Sequence, residues 1–281
     1  MSIVFRDVSY SYAEGTAYRT DALNQISLNI GDGEFVGIMG KTGSGKSTLI
    51  QLAAGLLTPS SGQVLLNGED INERSYDRRR LRKAVGIVFQ FPEAQLFEST
   101  VEKDVGFGPS NLGWDKERIQ TAVQESLALM GFDYDVVKDQ SPLGFSGGEK
   151  RRLAIAGVLA SDPDFLILDE PVAGLDPSAR RNLLTLLRDL NQAGKTILMV
   201  SHNVDALSEC AGRIILMDRG SVVFDGESAE AFSDPDFLKE HGIRGGQVSR
   251  LVQMLREKGS GLSNRVIRYD ELLDALAGSQ Q

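Results

Sequence analysis

The first third of the chain alternates apolar and polar positions with the period of a half-buried strand. Ile3-Val4-Phe5, residues 8–12 and residues 26–30 follow this pattern, and Gly31-Asp32-Gly33 supplies a turn. Phe35-Val36-Gly37-Ile38-Met39 is apolar throughout, as a strand covered on both faces must be. The period then changes. Leu49, Leu52, Ala53 and Leu56 fall on one face of a helix predicted over residues 47–57, which stops before Pro59. Gln63-Val64-Leu65-Leu66 with Asn67-Gly68 predicts a further strand and turn, and residues 85–89 a second buried strand ending at Gln90. Residues 91–160 are helical in pattern, notably 116–130 and 147–159, with Pro92, Pro109 and Pro142 as breaks. Continuous apolar strands return at residues 165–168, 196–200 and 213–217.

Strands alternating with helices from residue 35 onward predict a parallel α/β sheet. The expected fold class is therefore α/β, with an N-terminal antiparallel β subdomain, a parallel core sheet, a helical subdomain inserted at about residues 91–160 and a small C-terminal extension. Residues 1–224 would form the main domain and 225–281 the extension. In the extension, Val248, Leu251, Val252, Met254 and Leu255 recur at helical spacing, as do Tyr269, Leu272, Leu273 and Leu276. Those faces need a surface to pack on, either the chain's own main domain or the same segment of a partner.

Between the apolar strand at 35–39 and the helix at 47–57 lies Gly40-Lys41-Thr42-Gly43-Ser44-Gly45-Lys46-Ser47-Thr48. It fits G-x-x-x-x-G-K-[ST], the phosphate-binding loop of nucleotide hydrolases. Glycines let the backbone curl around a phosphate with its N–H groups pointing inward. Lys46 adds a charge for the β- and γ-phosphates, the Ser47 hydroxyl can ligate Mg²⁺, and the helix N-terminus aims its partial positive charge at the same anion. This makes the chain a nucleoside triphosphate binder, expected to use ATP and Mg²⁺, in which the predicted strand and helix are the P-loop NTPase pair.

A second group of residues completes hydrolysis chemistry. Phe165-Leu166-Ile167-Leu168 delivers Asp169 and Glu170 at a strand's C-terminal end, where α/β sheets place ligands. Asp169 suits Mg²⁺, directly or through water, and Glu170 is free to act as general base on an attacking water. Ser146-Gly147-Gly148-Glu149 fits a capping box, yet two glycines in a helix's first turn cost about 1 kcal/mol each relative to alanine. Bare N–H groups at a helix start suit a phosphate, and a second phosphate site so far along the chain suggests a nucleotide shared between two copies.

Composition narrows the partners. The net charge of −9 speaks against nucleic acid, and the one dense basic run, residues 78–83, reads as a solvated helix face. The single cysteine, Cys210, cannot form an intrachain disulfide. The start, MSIVFRDVSY, has no basic-then-apolar leader, and no apolar run approaches the ~20 residues needed to cross a bilayer. The chain is expected to be cytoplasmic, or held at a membrane only through a partner.

These motifs together resemble an ABC-type ATPase, from about Val4 to Phe224. Ser146-Gly147-Gly148-Glu149 resembles that family's signature motif, with Phe145 and Glu149 where leucine and glutamine are commoner. By the same resemblance Tyr12 would stack on adenine, with Tyr10 as the competing choice, and Gln90 would sense Mg²⁺ and the γ-phosphate. Asp176, in Gly174-Leu175-Asp176, matches the D-loop and with Pro177 reads as a helix N-cap; His202 matches the switch histidine that contacts the γ-phosphate. Catalysis would fall to Glu170, His202, Lys46 and Gln90, and metal binding to Ser47, Gln90 and Asp169.

Residues 90–97 and 100–109 further resemble the ATPases of energy-coupling factor importers, nearer the second of the two paired ATPases. That resemblance implies a motor for uptake of a vitamin or a transition-metal ion at the cytoplasmic face of the cell membrane. Its partners would be a second ABC ATPase subunit, identical or different, a transmembrane coupling subunit and a substrate-binding membrane subunit. Phe91, Leu96 and Phe97 would line an apolar groove for a partner helix, unless they pack inside the helical subdomain. An exporter ATPase or a non-transport ABC ATPase is the alternative class.

Overall fold

In a computed structural model, which describes residues 1–278, two sheets form among the described residues. Strands β1 (Ile3–Tyr12), β2 (Thr20–Ile30), β3 (Phe35–Gly40), β4 (Ser61–Leu66) and β5 (Glu69–Asp70) lie in the first part of the chain. They are followed by β6 (Val85–Val88), β7 (Phe165–Asp169), β8 (Thr196–Val200), β9 (Arg213–Asp218) and β10 (Ser221–Glu227). The antiparallel sheet has the order β2-β1-β4-β5, and the larger one β10-β9-β3-β8-β7-β6. Within the larger sheet β9, β3, β8, β7 and β6 are parallel, and β10 returns antiparallel on the edge.

The two short apolar stretches before residue 13 are one strand, not two. Phe5 and Val8 would point to opposite faces of a regular strand. Asp7, at φ 47°, sits where the register shifts and turns Val8 back to the buried side with Ile3 and Phe5. Gln25, also at φ 47°, does the same in β2 for Leu23 and Ile26.

Alternation along the parallel strands divides the interior in two. Val36, Ile38, Phe165, Ile167, Leu198 and Val200 join the antiparallel sheet and the helix Lys46–Ala53 in one core. Phe35, Met39, Leu166, Leu168, Ile197 and Met199 face the helices of the opposite side in the other. A strand buried on both faces must be apolar at every position, which is why these runs show no alternation in the sequence.

The helix after the phosphate loop ends at Ala53, short of the predicted residue 57; Leu56 is exposed rather than on a buried face. The inserted region forms helices including Lys116–Leu129 and Gly147–Leu159, with Val123, Leu127, Leu153 and Ile155 in the larger core. The basic helix Arg78–Ala84 buries only Leu81.

Strand β10 continues past Phe224 to Glu227, and the helix Ser228–Ser233 seats Phe232 in the larger core. Beyond Gly246 the helices Gln247–Glu257 and Tyr269–Gly278 bury Val252, Leu262 and Leu272 in a small cluster of their own. They also pack on the chain's own helix Val204–Cys210: Asp205 accepts from the Gln247 N–H at 2.6 Å, and Arg268 Nε donates to the Ser208 carbonyl at 2.8 Å. Leu251, Met254, Tyr269 and Leu273 stay exposed.

Candidate nucleotide-hydrolysis site

β3 runs between β9 and β8 in the larger sheet and releases the chain at Gly40. Two loop positions require glycine. At Gly40 (φ 147°) a Cβ would lie 2.2 Å from the Met217 carbonyl oxygen, and at Gly45 (φ 102°) 2.6 Å from that of Ala22. The helix Lys46–Ala53 starts on Gly45 with no capping side chain and no acid in its first turn. Its first N–H groups are therefore left for an anion. Lys41, Thr42, Gly43 and Ser47 are exposed, whereas Ser44, Lys46 and Thr48 are buried.

Lys46 Nζ donates to the carbonyls of Gly40 (2.8 Å) and Lys41 (2.9 Å). Burial pushes its pKa down, and the nearby charges of Glu170 and Asp169 push it back up. The ammonium is thus desolvated inside a loop of carbonyls and acids, an arrangement that gains most from an incoming phosphate. Tyr12 bonds through its hydroxyl to Thr48 Oγ1 at 3.0 Å and leaves its ring 41% exposed beside the loop. Tyr10, edge-on to it at 4.9 Å, packs instead against the core, so Tyr12 is the ring available for stacking.

β7 lies between β8 and β6 and delivers Asp169, 8% exposed. Burial raises the Asp169 carboxyl above its ordinary range and the charge of Glu170 adds to this, while Lys46 and a hydrogen bond with Ser47 act the other way. Side chains of successive strand residues point to opposite faces. Glu170 escapes that alternation by adopting φ 50°, a costly left-handed conformation for a residue with a Cβ. Its N–H donates to the Val200 carbonyl at 2.9 Å, and its carboxylate accepts from the His202 N–H (2.8 Å) and Ser201 Oγ (3.2 Å) at the end of β8. His202 Nε2 lies 3.7 Å from Glu170 Oε1 and the imidazole is more than half exposed.

A buried carboxylate beside a serine hydroxyl is a hard-oxygen donor pair that fits Mg²⁺. Among the described residues no group of three His, Cys, Asp or Glu side chains is set to hold a metal alone.

Gln90 leaves β6 at the same sheet edge, because Val88 pairs with Leu168 just ahead of Asp169. Ser146 caps the helix Gly147–Leu159 in a two-way capping box with Glu149, whose carboxyl is held low by the Ser146 hydrogen bonds. A Cβ on Gly147 or Gly148 would meet nothing within 4 Å, so among the described residues no steric contact requires glycine there. Asp176 caps the helix Pro177–Gln192 through the N–H groups of Ser178 and Ala179. No hydrogen bond or ion pair among the described residues joins Ser146, Gly147, Gly148, Glu149 or Asp176 to the Lys46–Asp169–Glu170 group. One residue of the site had no distinct signal of its own in the sequence: Ser201, which bonds the Glu170 carboxylate, looks like the last residue of a strand.

The sheet order, the glycine loop and the two acids together define a P-loop nucleotide hydrolase of the cassette type. A sequence profile described as ABC transporter matches residues 23–173. The energy-coupling factor transporter ATP-binding protein EcfA2 of Clostridium perfringens is 45% identical, over 98% of this chain and 97% of that protein. Its namesake in Streptococcus sanguinis is 41% identical over 99% of this chain and 100% of that one. Among solved structures, cbiO1 from Clostridium perfringens, part of the ABC transporter complex cbiONQ, is 34% identical with a TM-score of 0.73, covering 90% of this chain and 98% of that one. The ATP-binding cassette MJ0796, a dimer in a post-hydrolysis state bound to ADP and Pi, is 29% identical with a TM-score of 0.72 over 80% and 98%. The chain belongs to the ABC transporter family, among its energy-coupling factor transporter ATP-binding proteins.

Proposed function

We propose that this chain is the ATP-hydrolysing subunit of an energy-coupling factor importer, held at the cytoplasmic face of the cell membrane by partner chains and driving uptake of a vitamin or transition-metal ion. The observation that carries the hydrolytic part is the convergence of Lys46, Ser47, Asp169, Glu170 and His202 from the ends of β3, β7 and β8. Lys46 and the uncapped helix start bind the β- and γ-phosphates, and Tyr12 offers its ring to adenine. Ser47 and Asp169, with Gln90 as the further candidate, would hold Mg²⁺, which would supply positive charge to the phosphate oxygens. Glu170 takes a proton from water as the water oxygen bonds to the γ-phosphorus; the bond to the β-phosphate oxygen breaks, giving ADP and phosphate. His202, beside Glu170, faces the γ-phosphoryl charge.

Gly147 and Gly148 leave open space at a helix start capped by Ser146, and their own chain does not fill it. That supports a reading in which the nucleotide of a second ATPase subunit docks on Ser146, Gly147, Gly148 and Glu149, with Asp176 at the same contact.

Transmission would run through the face beside Gln90. Phe91 and Phe97 are 63% and 61% exposed, and Phe97 packs edge-on against Phe107 at 4.8 Å. The loop is pinned, since Asp104 accepts the Phe97 and Glu98 N–H groups at 2.8 and 2.7 Å. Leu96 departs from the groove reading: at 6% exposure it belongs to the core, because it points inward where its neighbours point out. Among the described residues no helix is long and apolar enough to cross a membrane, so the spanning helices belong to partners in this reading. Phe97→Asp should weaken assembly with the membrane partner by about tenfold or more. ATP binding by the isolated chain should be unchanged. Co-purification from membranes and uptake in vesicles read this; survival of both would remove the docking role.

Leu251, Met254, Tyr269 and Leu273, on the two C-terminal helices, are exposed, and we assign them to the C-terminal segment of the other ATPase. Cutting after Phe224 would sever β10, so the truncation is placed at Gly246, which spares β10 and Phe232 and takes Ile267 from the larger core. Without residues 247–281 the nucleotide-free ATPase pair should separate in the ultracentrifuge, while the ATP-loaded pair still forms. A nucleotide-free pair that persists, with only a lower melting temperature, would reduce the segment to a stabilising tail on its own domain.

A further inference from the structure

Arg151 stands in a run of three basic residues, yet the residue is 7% exposed. Its guanidinium reaches three segments that are distant in sequence. One terminal nitrogen donates to the Gln90 carbonyl at 2.7 Å, the other donates to the Ala173 carbonyl, and Nε lies 3.9 Å from Glu93 Oε2. That carboxylate oxygen is buried and accepts no hydrogen bond among the described residues. Gln90 lies two residues past the end of β6, Glu93 sits in the short helix Pro92–Gln95 within the exposed phenylalanine face, and Ala173 follows Glu170 in the turn toward Asp176. Arg151 itself lies on the helix that Ser146 caps. A planar fork with donors in fixed directions can hold such a set of acceptors; an ammonium on a flexible stem cannot hold them in one geometry.

We propose that Arg151 is a positioning residue for hydrolysis, tying the face that meets the membrane partner, the Gln90 backbone and the turn after Glu170 to the Ser146 helix as one body. This rests on the roles proposed above for Gln90 and Glu170. When the Ser146 helix moves onto a nucleotide, Gln90 and the Glu170 turn are carried with it. The same link runs the other way, from the docking face to the hydrolytic carboxylate. Arg151 is buried with its guanidinium on Gln90, Glu93 and Ala173 rather than on the phosphate loop, so binding and turnover should respond differently to its loss.

The test uses the full chain assembled with its membrane partners in vesicles, with ATP titration on the isolated chain. Arg151→Met should lower kcat by about tenfold to a hundredfold, the loss expected for a buried charged hydrogen-bond set. The ATP Kd should stay within about twofold, because the phosphate loop is untouched. Arg151→Lys should restore the melting temperature but not kcat. Glu93→Gln should lower kcat in the same direction, and keeps the test open if Arg151→Met fails to fold. A kcat near wild type in both Arg151→Lys and Glu93→Gln, full recovery of kcat by lysine, or parallel loss of Kd, kcat and melting temperature would each overturn the inference. Glu170→Gln, measured alongside, separates the two levels. If it stalls while the Arg151 variants turn over normally, only the positioning role falls; if it too turns over, the site assignment beneath fails.

Discussion

Glu170→Gln should keep ATP binding and lower turnover by about a hundredfold to ten-thousandfold, the range spanned by losing a positioned general base. The substitution preserves shape and removes only basicity. The amide oxygen can still accept from the His202 N–H, and the amide NH2 can donate to the Ser201 hydroxyl where the carboxylate accepted from it, so the left-handed turn at Glu170 has no reason to relax. Because binding is intact and product formation is not, the ATP-loaded pair of subunits should accumulate. Gel filtration with Mg·ATP, beside a steady-state phosphate assay, checks both halves. Near-normal phosphate release would take the role of base away from Glu170.

Lys46→Ala should act on the other parameter, raising the ATP Kd by about tenfold to a hundredfold, as expected for removing a charge-assisted bond to phosphate. The melting temperature without nucleotide should move little. Lys46 is buried at a desolvation cost that pulls its pKa down, and its hydrogen bonds go to the carbonyls of Gly40 and Lys41 and, at 3.5 Å, to the Ser44 hydroxyl. What should vanish is the upward shift of melting temperature on adding ATP, since ligand stabilisation scales with occupancy of the folded state. Titration calorimetry and a melting series read this together. A variant that binds ATP as tightly as the parent would show that the helix start and the loop N–H groups suffice.

These two residues were legible in the sequence for different reasons. Lys46 belongs to a contiguous loop whose glycine spacing is itself the signal, and Glu170 gains meaning only beside Asp169 at a strand end. Tyr12 could not be separated from Tyr10 by pattern, because both lie on one strand. The hydroxyl bond to Thr48 and the exposed ring separate them. Phe91, Leu96 and Phe97 looked alike in the sequence, yet Leu96 is core. Across a short 3₁₀ turn, direction depends on what lies underneath, here the helix Gly147–Leu159. Arg151 was hidden because a charged residue on a basic helix is solvated by default, and only its burial against Gln90, Glu93 and Ala173 reveals otherwise.

What the chain determined by itself is the material of short-range order: where strands and helices form, the glycine loop, the acid pair, the caps at Ser146 and Asp176, and the family. Those features are contiguous, and periodicity and capping act within a few residues. Which side chains meet was decided by the sheet order β10-β9-β3-β8-β7-β6, which brings the ends of β3, β7 and β8 together. The left-handed turn at Glu170, the Ser201 contact and the three-way grip of Arg151 follow from that juxtaposition. None has a local cause, because each is a contact between segments that only the packed sheet makes neighbours.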